Sequence, residues 1–196
     1  MRACLALCLL FFATNVKSQA LAPCDAPDFL EAKIIEVNRE RQYEVRSRLS
    51  YDARNYRKRY VDEVFTTDDT REYFDVLYLH NVGIEYRLDL QTRQCESRDI
   101  SQEQFFPIGI PKNATFYGEA TIGTKGFPGE GVLVQTWGGQ SERGRYSGIW
   151  TVTGCLPVKE GYYSNQTGYI STEFYDITLG ISDPNVFLPP KECSGV

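Results

Sequence analysis

What this chain lacks narrows its chemistry first. It holds a single histidine, His80, so any Ser/His/Asp or Cys/His mechanism must run through one side chain at the end of an apolar segment. No G-x-S-x-G elbow accompanies it, and a triad also needs a placed nucleophile and an orienting acid, so His80 reads as structural. No C-x-x-C pair or Cys/His cluster occurs, which removes the common zinc and thiol-redox patterns. Walker loops, dinucleotide fingerprints and EF-hand loops are missing too. Adjacent acids such as Asp68 and Asp69 lie in a charged stretch and read as solvated rather than as a glycosidase pair, so the expected class is not an enzyme. Basic charge is also in short supply: the net charge is −5 with both signs intermixed, which leaves no footprint for nucleic acid and no polybasic membrane patch.

Long apolar runs are missing as well. The longest, within residues 3–13, is shorter than the roughly 20 residues a membrane-spanning helix needs. Arg2 before it and the small residues Ser18 and Ala20 after it describe a secretory signal peptide over 1–20. The remaining 21–196, roughly 175 residues, is expected to form one domain with a real core in an oxidising compartment. Cys4 and Cys8 leave with the leader, and the even set Cys24, Cys95, Cys155 and Cys193 predicts two disulfides, with three pairings open from spacing alone.

What is present is strand pattern and aromatic side chains. Tyr43, Val45, Leu49 and Tyr51 alternate with charged or polar neighbours, as do Val82, Ile84, Tyr86, Leu88 and Leu90. Residues 29–38, 55–65, 73–80, 115–123, 132–137, 145–153 and 168–178 also read as strands, giving eight to ten in all. In NYRKRYVDEVF at 55–65 the basic side chains are expected to lay their stems on apolar surface and keep their charges wet. Residues 100–106 are the one helix candidate, and the proline-rich tail from 181 should run extended over the surface. The expected fold class is therefore all-β with antiparallel connectivity. Asn113 in NAT and Asn165 in NQT are glycosylation acceptors in or beside expected loops. The chain carries 13 tyrosines, 2 tryptophans and 11 phenylalanines, of which Phe11 and Phe12 belong to the leader. Two readings of that load stay open: a filled sandwich core, or curved sheets around an apolar cavity.

PCDAP at 23–27, YRLDLQTRQC ending at Cys95, PKNATFYGEATIG, GVLVQTW, GCLPV at 154–158 and GISDPNVFLPPKEC, in that order and spacing, resemble the ependymin and ependymin-related family through essentially the whole mature chain. FLEA at 29–32 departs from the Trp-Glu-Gly frequent there in the family. The resemblance implies a secreted glycoprotein, extracellular or in some members lysosomal, built as curved two-layer antiparallel sheets like bacterial lipoprotein carriers and enclosing a hydrophobic pocket. It implies the pairings Cys24 with Cys155 and Cys95 with Cys193. It also implies a homodimer, contact with extracellular matrix, and calcium binding without a required cofactor; Asp68, Asp69 and Asp99 are the candidate oxygen donors. Strand phase and size then select Phe74, Tyr78, Tyr86, Phe116, Ile122, Trp137, Trp150 and Phe174 as pocket walls around a lipid-like molecule, with Phe116, Ala120 and Ile122 on one inward face and the loop TKGFPGEG as a lip. The alternative function is calcium-dependent adhesion through surface and glycans.

Overall fold

The computed structural model describes residues 21–66, 70–142 and 144–196; residues 1–20, expected as a leader, and Asp68 and Asp69 lie outside them. Among the described residues eleven strands follow one another: β1 (Phe29–Asn38), β2 (Tyr43–Asp52), β3 (Arg57–Phe65), β4 (Arg71–Leu79), β5 (Ile84–Asp89), β6 (Cys95–Asp99), β7 (Thr115–Gly123), β8 (Gly131–Ser141), β9 (Gly144–Thr151), β10 (Pro157–Ser164) and β11 (Gly168–Leu179). They form one antiparallel sheet in the order β6-β5-β4-β3-β2-β1-β11-β10-β9-β8-β7. Two meanders, β1 to β6 and β7 to β11, are thus joined through the pairing of β1 with β11.

Period-two alternation explains why these segments pair in this register. Leu30, Ala32 and Ile34 of β1 stand opposite Tyr51, Leu49 and Ser47 of β2, so one face receives the apolar members while Lys33, Arg46 and Arg48 turn to the other. On β11, Asp176 adopts φ 49° where the pairing with β1 shifts register, and the extra residue brings Ile177 back to the same side as Phe174. Leu30, Ala32, Ile34, Leu49, Tyr51, Ile108 and Phe174 make one core cluster. Ile110, Trp137, Trp150 and Cys155 make another.

The sheet curls over its middle without closing into a barrel. Lys58 on β3 and Glu160 on β10 are four strands apart, a separation of roughly 19 Å in a flat sheet. They nonetheless border one cavity and act on each other electrostatically. The two edge strands, β6 and β7, are connected by residues 100–114, which must cross the mouth of the curl. No helix forms at 100–106: a single turn closes with the Glu103 N–H donating to the Ile100 carbonyl at 2.8 Å, and the chain beyond it is fixed by the Ile108 N–H donating to the Tyr51 hydroxyl at 3.0 Å and the Ile110 N–H to the Cys24 carbonyl at 3.1 Å. The tail, expected to be extended throughout, contains two short 3-10 turns, Pro184–Phe187 and Lys191–Cys193.

The disulfides are Cys24–Cys155 and Cys95–Cys193. The first ties the N-terminal segment to the β9–β10 turn. The second straps the tail across β3 to β6, where the Arg59 guanidinium donates to the Val186 carbonyl at 2.6 Å and Arg57 lies 4.4 Å over the Phe187 ring.

Candidate functional site: two joined cavities inside the curl

Side chains from β1 to β4 and from β10 and β11 converge under the crossover to enclose a cavity of about 690 Å³. Its apolar wall comes from Ile34, Val45, Leu49, Phe106, Ile108 and Phe174, and its aromatic wall from Tyr60 and Tyr78, whose rings meet edge to face at 6.0 Å. A second cavity of about 610 Å³ lies toward β9 and shares Phe106, Glu160 and Thr172 with the first. Pro107, Pro111, Tyr146, Trp150 and Tyr162 give it a mostly apolar lining, with Asn113 on its border.

The polar groups are unevenly divided between the two. Glu36, Asp62 and Glu160 border the first cavity, and no ion pair joins any of them to another described residue. Burial raises the pKa of each: Glu160 is pushed up to about 7, and Glu36 and Asp62 rise despite the Tyr43 hydroxyl donating to Glu36 at 3.2 Å and the Ser47 hydroxyl donating to Asp62 at 2.6 Å. Burial also lowers Lys58 to about 8. The Lys58 ammonium donates to the Phe106 carbonyl at 2.8 Å and sits 5.6 and 4.9 Å from the Tyr51 and Phe105 ring centroids, so backbone and aromatic faces already hold it. Burial pushes the Tyr78 hydroxyl up to about 12. His80 stacks on Tyr78 at 6.1 Å and meets Phe105 edge-on at 5.4 Å.

Of the eight side chains chosen from the sequence, Tyr78 and Phe174 border the first cavity and Trp150 the second. Trp137 is buried beside Trp150 in their shared cluster. Phe74 shares the inward face of β4 with Tyr78, but Arg87 lies 3.7 Å over its ring and it borders neither cavity. Tyr86 faces the other way, because it pairs with Leu77 while Tyr78 pairs with Glu85.

The expected common face of Phe116, Ala120 and Ile122 does not exist. A bulge between Phe116 and Gly118 puts Phe116 on the side of Trp137, 5.1 Å away between ring centroids, and turns Ala120 and Ile122 to the opposite side with Val134 and Val132. Ile122 is 47 % exposed. The 124–131 loop, expected as the lip, borders neither cavity. Asn113 and Asn165 are both exposed, Asn165 in the turn between β10 and β11.

Lys58, Tyr60, Asp62, Glu36 and Glu160 were missed. In NYRKRYVDEVF the charges are not kept wet as expected: Arg57 and Arg59 turn away from the cavity but pair under the tail with Asp52 at 3.0 Å and the largely buried Asp75 at 2.6 Å, and Lys58 between them points inward. The strict spacing of Lys58, Tyr60 and Asp62 was the available signal. Among the described residues no group of three or more His, Cys, Asp or Glu is gathered as a metal site, and the Asp99 carboxylate accepts the Ser101 N–H at 2.7 Å.

Comparison with known proteins agrees with this architecture. The family model described as Ependymin matches residues 68–193. Mammalian ependymin-related protein 1 of Mus musculus is 33% identical over 174 residues, covering 87% of this chain and 76% of the mouse protein. Ependymin-2 of Carassius auratus is 26% identical over 192 residues, covering 97% and 86%. The crystal structure of an uncharacterized conserved protein from Thermus thermophilus superposes with a TM-score of 0.53 at 10% identity, covering 83% of this chain and 86% of that one, a likeness of fold alone. With a family model spanning more than half of its length, a mammalian relative a third identical across most of both chains, and the disulfides that its motifs imply, this chain belongs to the ependymin family.

Proposed function

We propose that this protein is a secreted, non-enzymatic glycoprotein that carries a hydrophobic, lipid-like molecule inside the curl of its sheet. The observation that carries the reading is the pair of joined cavities, roofed by the crossover and walled by aromatic and aliphatic side chains. Each alone, at about 690 and 610 Å³, falls in the size range of sites that bury most of a small ligand's surface. The leader-like 1–20 and the acceptors Asn113 and Asn165 support the secretory route and the glycans. Burying an alkyl chain contributes about 0.8 kcal/mol per methylene, so affinity should rise about fourfold with each added carbon until the space is filled. The test is mass spectrometry of an organic extract of the purified protein, together with displacement of the neutral dye Nile red by 1-alkanols of increasing length. An empty extract with no dependence on chain length overturns the carrier reading.

A further inference from the structure

The two cavities differ in chemistry, and the difference orients a ligand. The one beside β9 offers Pro107, Pro111, Tyr146, Trp150 and Tyr162, surfaces suited to a tail. The one under β1 to β4 carries four carboxyl groups, Glu103 held by Arg98 and Glu36, Asp62 and Glu160 in no ion pair with a described residue, and Lys58 is the only lysine or arginine among its described lining residues. Glu160 stands at the waist, bordering both. Its carboxyl is enclosed by protein except toward the cavities, and no hydrogen bond or ion pair reaches it from any described residue; the charge it feels is that of Lys58.

A carboxyl group held in such surroundings gains most from a cation or a strong hydrogen-bond donor brought to it. The protein supplies little of either. Lys58 is committed to the Phe106 carbonyl and two aromatic rings, Arg87 offsets part of the charge of Asp62 from its place over Phe74, and the acidic rim residue Glu103 is already paired with Arg98. An anionic headgroup entering the same space would meet Glu36, Asp62 and Glu160 with one occupied ammonium to receive it.

We propose that the joined cavities select a basic amphiphile, an alkyl or aryl chain bearing a primary amine, with its tail beside Trp150 and its ammonium in the cavity that Glu36, Asp62 and Glu160 border. This rests on the carrier reading above and adds the headgroup to it. Three probes with the same twelve-carbon chain separate the two claims: dodecylamine, 1-dodecanol and dodecanoate, each displacing Nile red from the intact protein at neutral pH below its micelle concentration. The amine should bind at least about tenfold tighter than the alcohol, the scale of a hydrogen bond to a charged group, and dodecanoate weakest of the three. In the Glu36→Gln/Asp62→Asn double variant the preference for the amine over the alcohol, both measured on that variant, should fall to about threefold or less, leaving only the contribution of Glu160. Should that variant not fold, the ranking on the wild-type protein decides. Alcohol binding with no amine preference, or dodecanoate binding as tightly as the amine, overturns the headgroup assignment and leaves the carrier standing. Binding of none of the three overturns both.

Discussion

Glu160 and Lys58 hold opposite charges across the curl, and each is displaced toward neutrality by burial: the acid upward to about 7, the base downward to about 8. For Glu160 the folded value exceeds the unfolded one, so its contribution to stability is fully present below about pH 4.5 and is lost as pH rises through about 7. Lys58 has the opposite sign, its contribution being present above about pH 10.5 and lost as pH falls through about 8. Between about pH 5 and 7 the Lys58 loss is nearly complete and the carboxyls set the slope, with Glu36 and Asp62 adding to Glu160 in direction. The melting temperature should therefore fall as pH is raised across that interval. Glu160→Gln removes a change on the order of 3 kcal/mol, so most of the slope should vanish in a series of calorimetric scans. A variant with the wild-type slope would mean that Glu160 is not enclosed as described. None of this is written in the local sequence. KEGYY around Glu160 reads as surface, and only the approach of β3 to β10 buries it.

At the level of elements, most strands were legible because one face is apolar and the other wet. The exceptions have physical reasons. β6, CESRD, is an exposed edge strand with no apolar face to announce it. β10, PVKEGYYS, is buried or half-buried along both faces, so its side chains do not alternate. Tyr86 took the wrong face because the wing from β3 to β6 is covered twice, by the crossover on one side and by the tail on the other, and alternation cannot say which cover is which. The bulge at Tyr117 had one signal in TFYGEATIG, the isolated Gly118 beside it at φ 150°, and it reverses every residue after it. Where β8, β9 and β10 pair, Gly148 stands between Trp137 and Glu160, and the Trp150 ring lies over it. A Cβ at Gly148 would fall 2.2 Å from Cη2 of Trp150, a ring only 2 % exposed and without room to retreat. Gly148→Ala should therefore cost about 2 kcal/mol through overpacking and alter the tryptophan near-ultraviolet circular dichroism. Gly126→Ala, whose Cβ would meet nothing nearer than the Thr124 hydroxyl oxygen at 3.4 Å, is the control and should stay within about 0.5 kcal/mol of wild type in the same denaturant titration. Equal losses for both would remove the steric account.

Across the whole molecule the two disulfides fasten different things, although each spans a long stretch of chain, 131 residues for Cys24–Cys155 and 98 for Cys95–Cys193. By loop closure alone they are nearly equivalent, each contributing about 4 to 5 kcal/mol against the unfolded chain. Their native contacts are not equivalent. Cys24 begins the segment that holds the crossover: its carbonyl accepts the Ile110 N–H at 3.1 Å, Asp25 bridges to Gly109, and Lys112 returns to Asp25 at 2.7 Å. Its sulfur also receives the Gln135 amide at 3.2 Å, close to the buried tryptophans. Cys193 fixes only the tail, on the side of the sheet away from the cavities. Replacing Cys95 and Cys193 by serine should lower the melting temperature and speed hydrogen exchange in 181–196, with little change in alkanol affinity. Replacing Cys24 and Cys155 should lower the melting temperature by a similar amount, but there the faster exchange should appear in 100–114 and alkanol affinity should fall with it. Such a difference between two losses of comparable entropy would identify the crossover as the roof of the site, since only the bridge that holds it would affect binding. Equal loss of alkanol affinity in both variants would show that the roof is held by the fold as a whole rather than by Cys24.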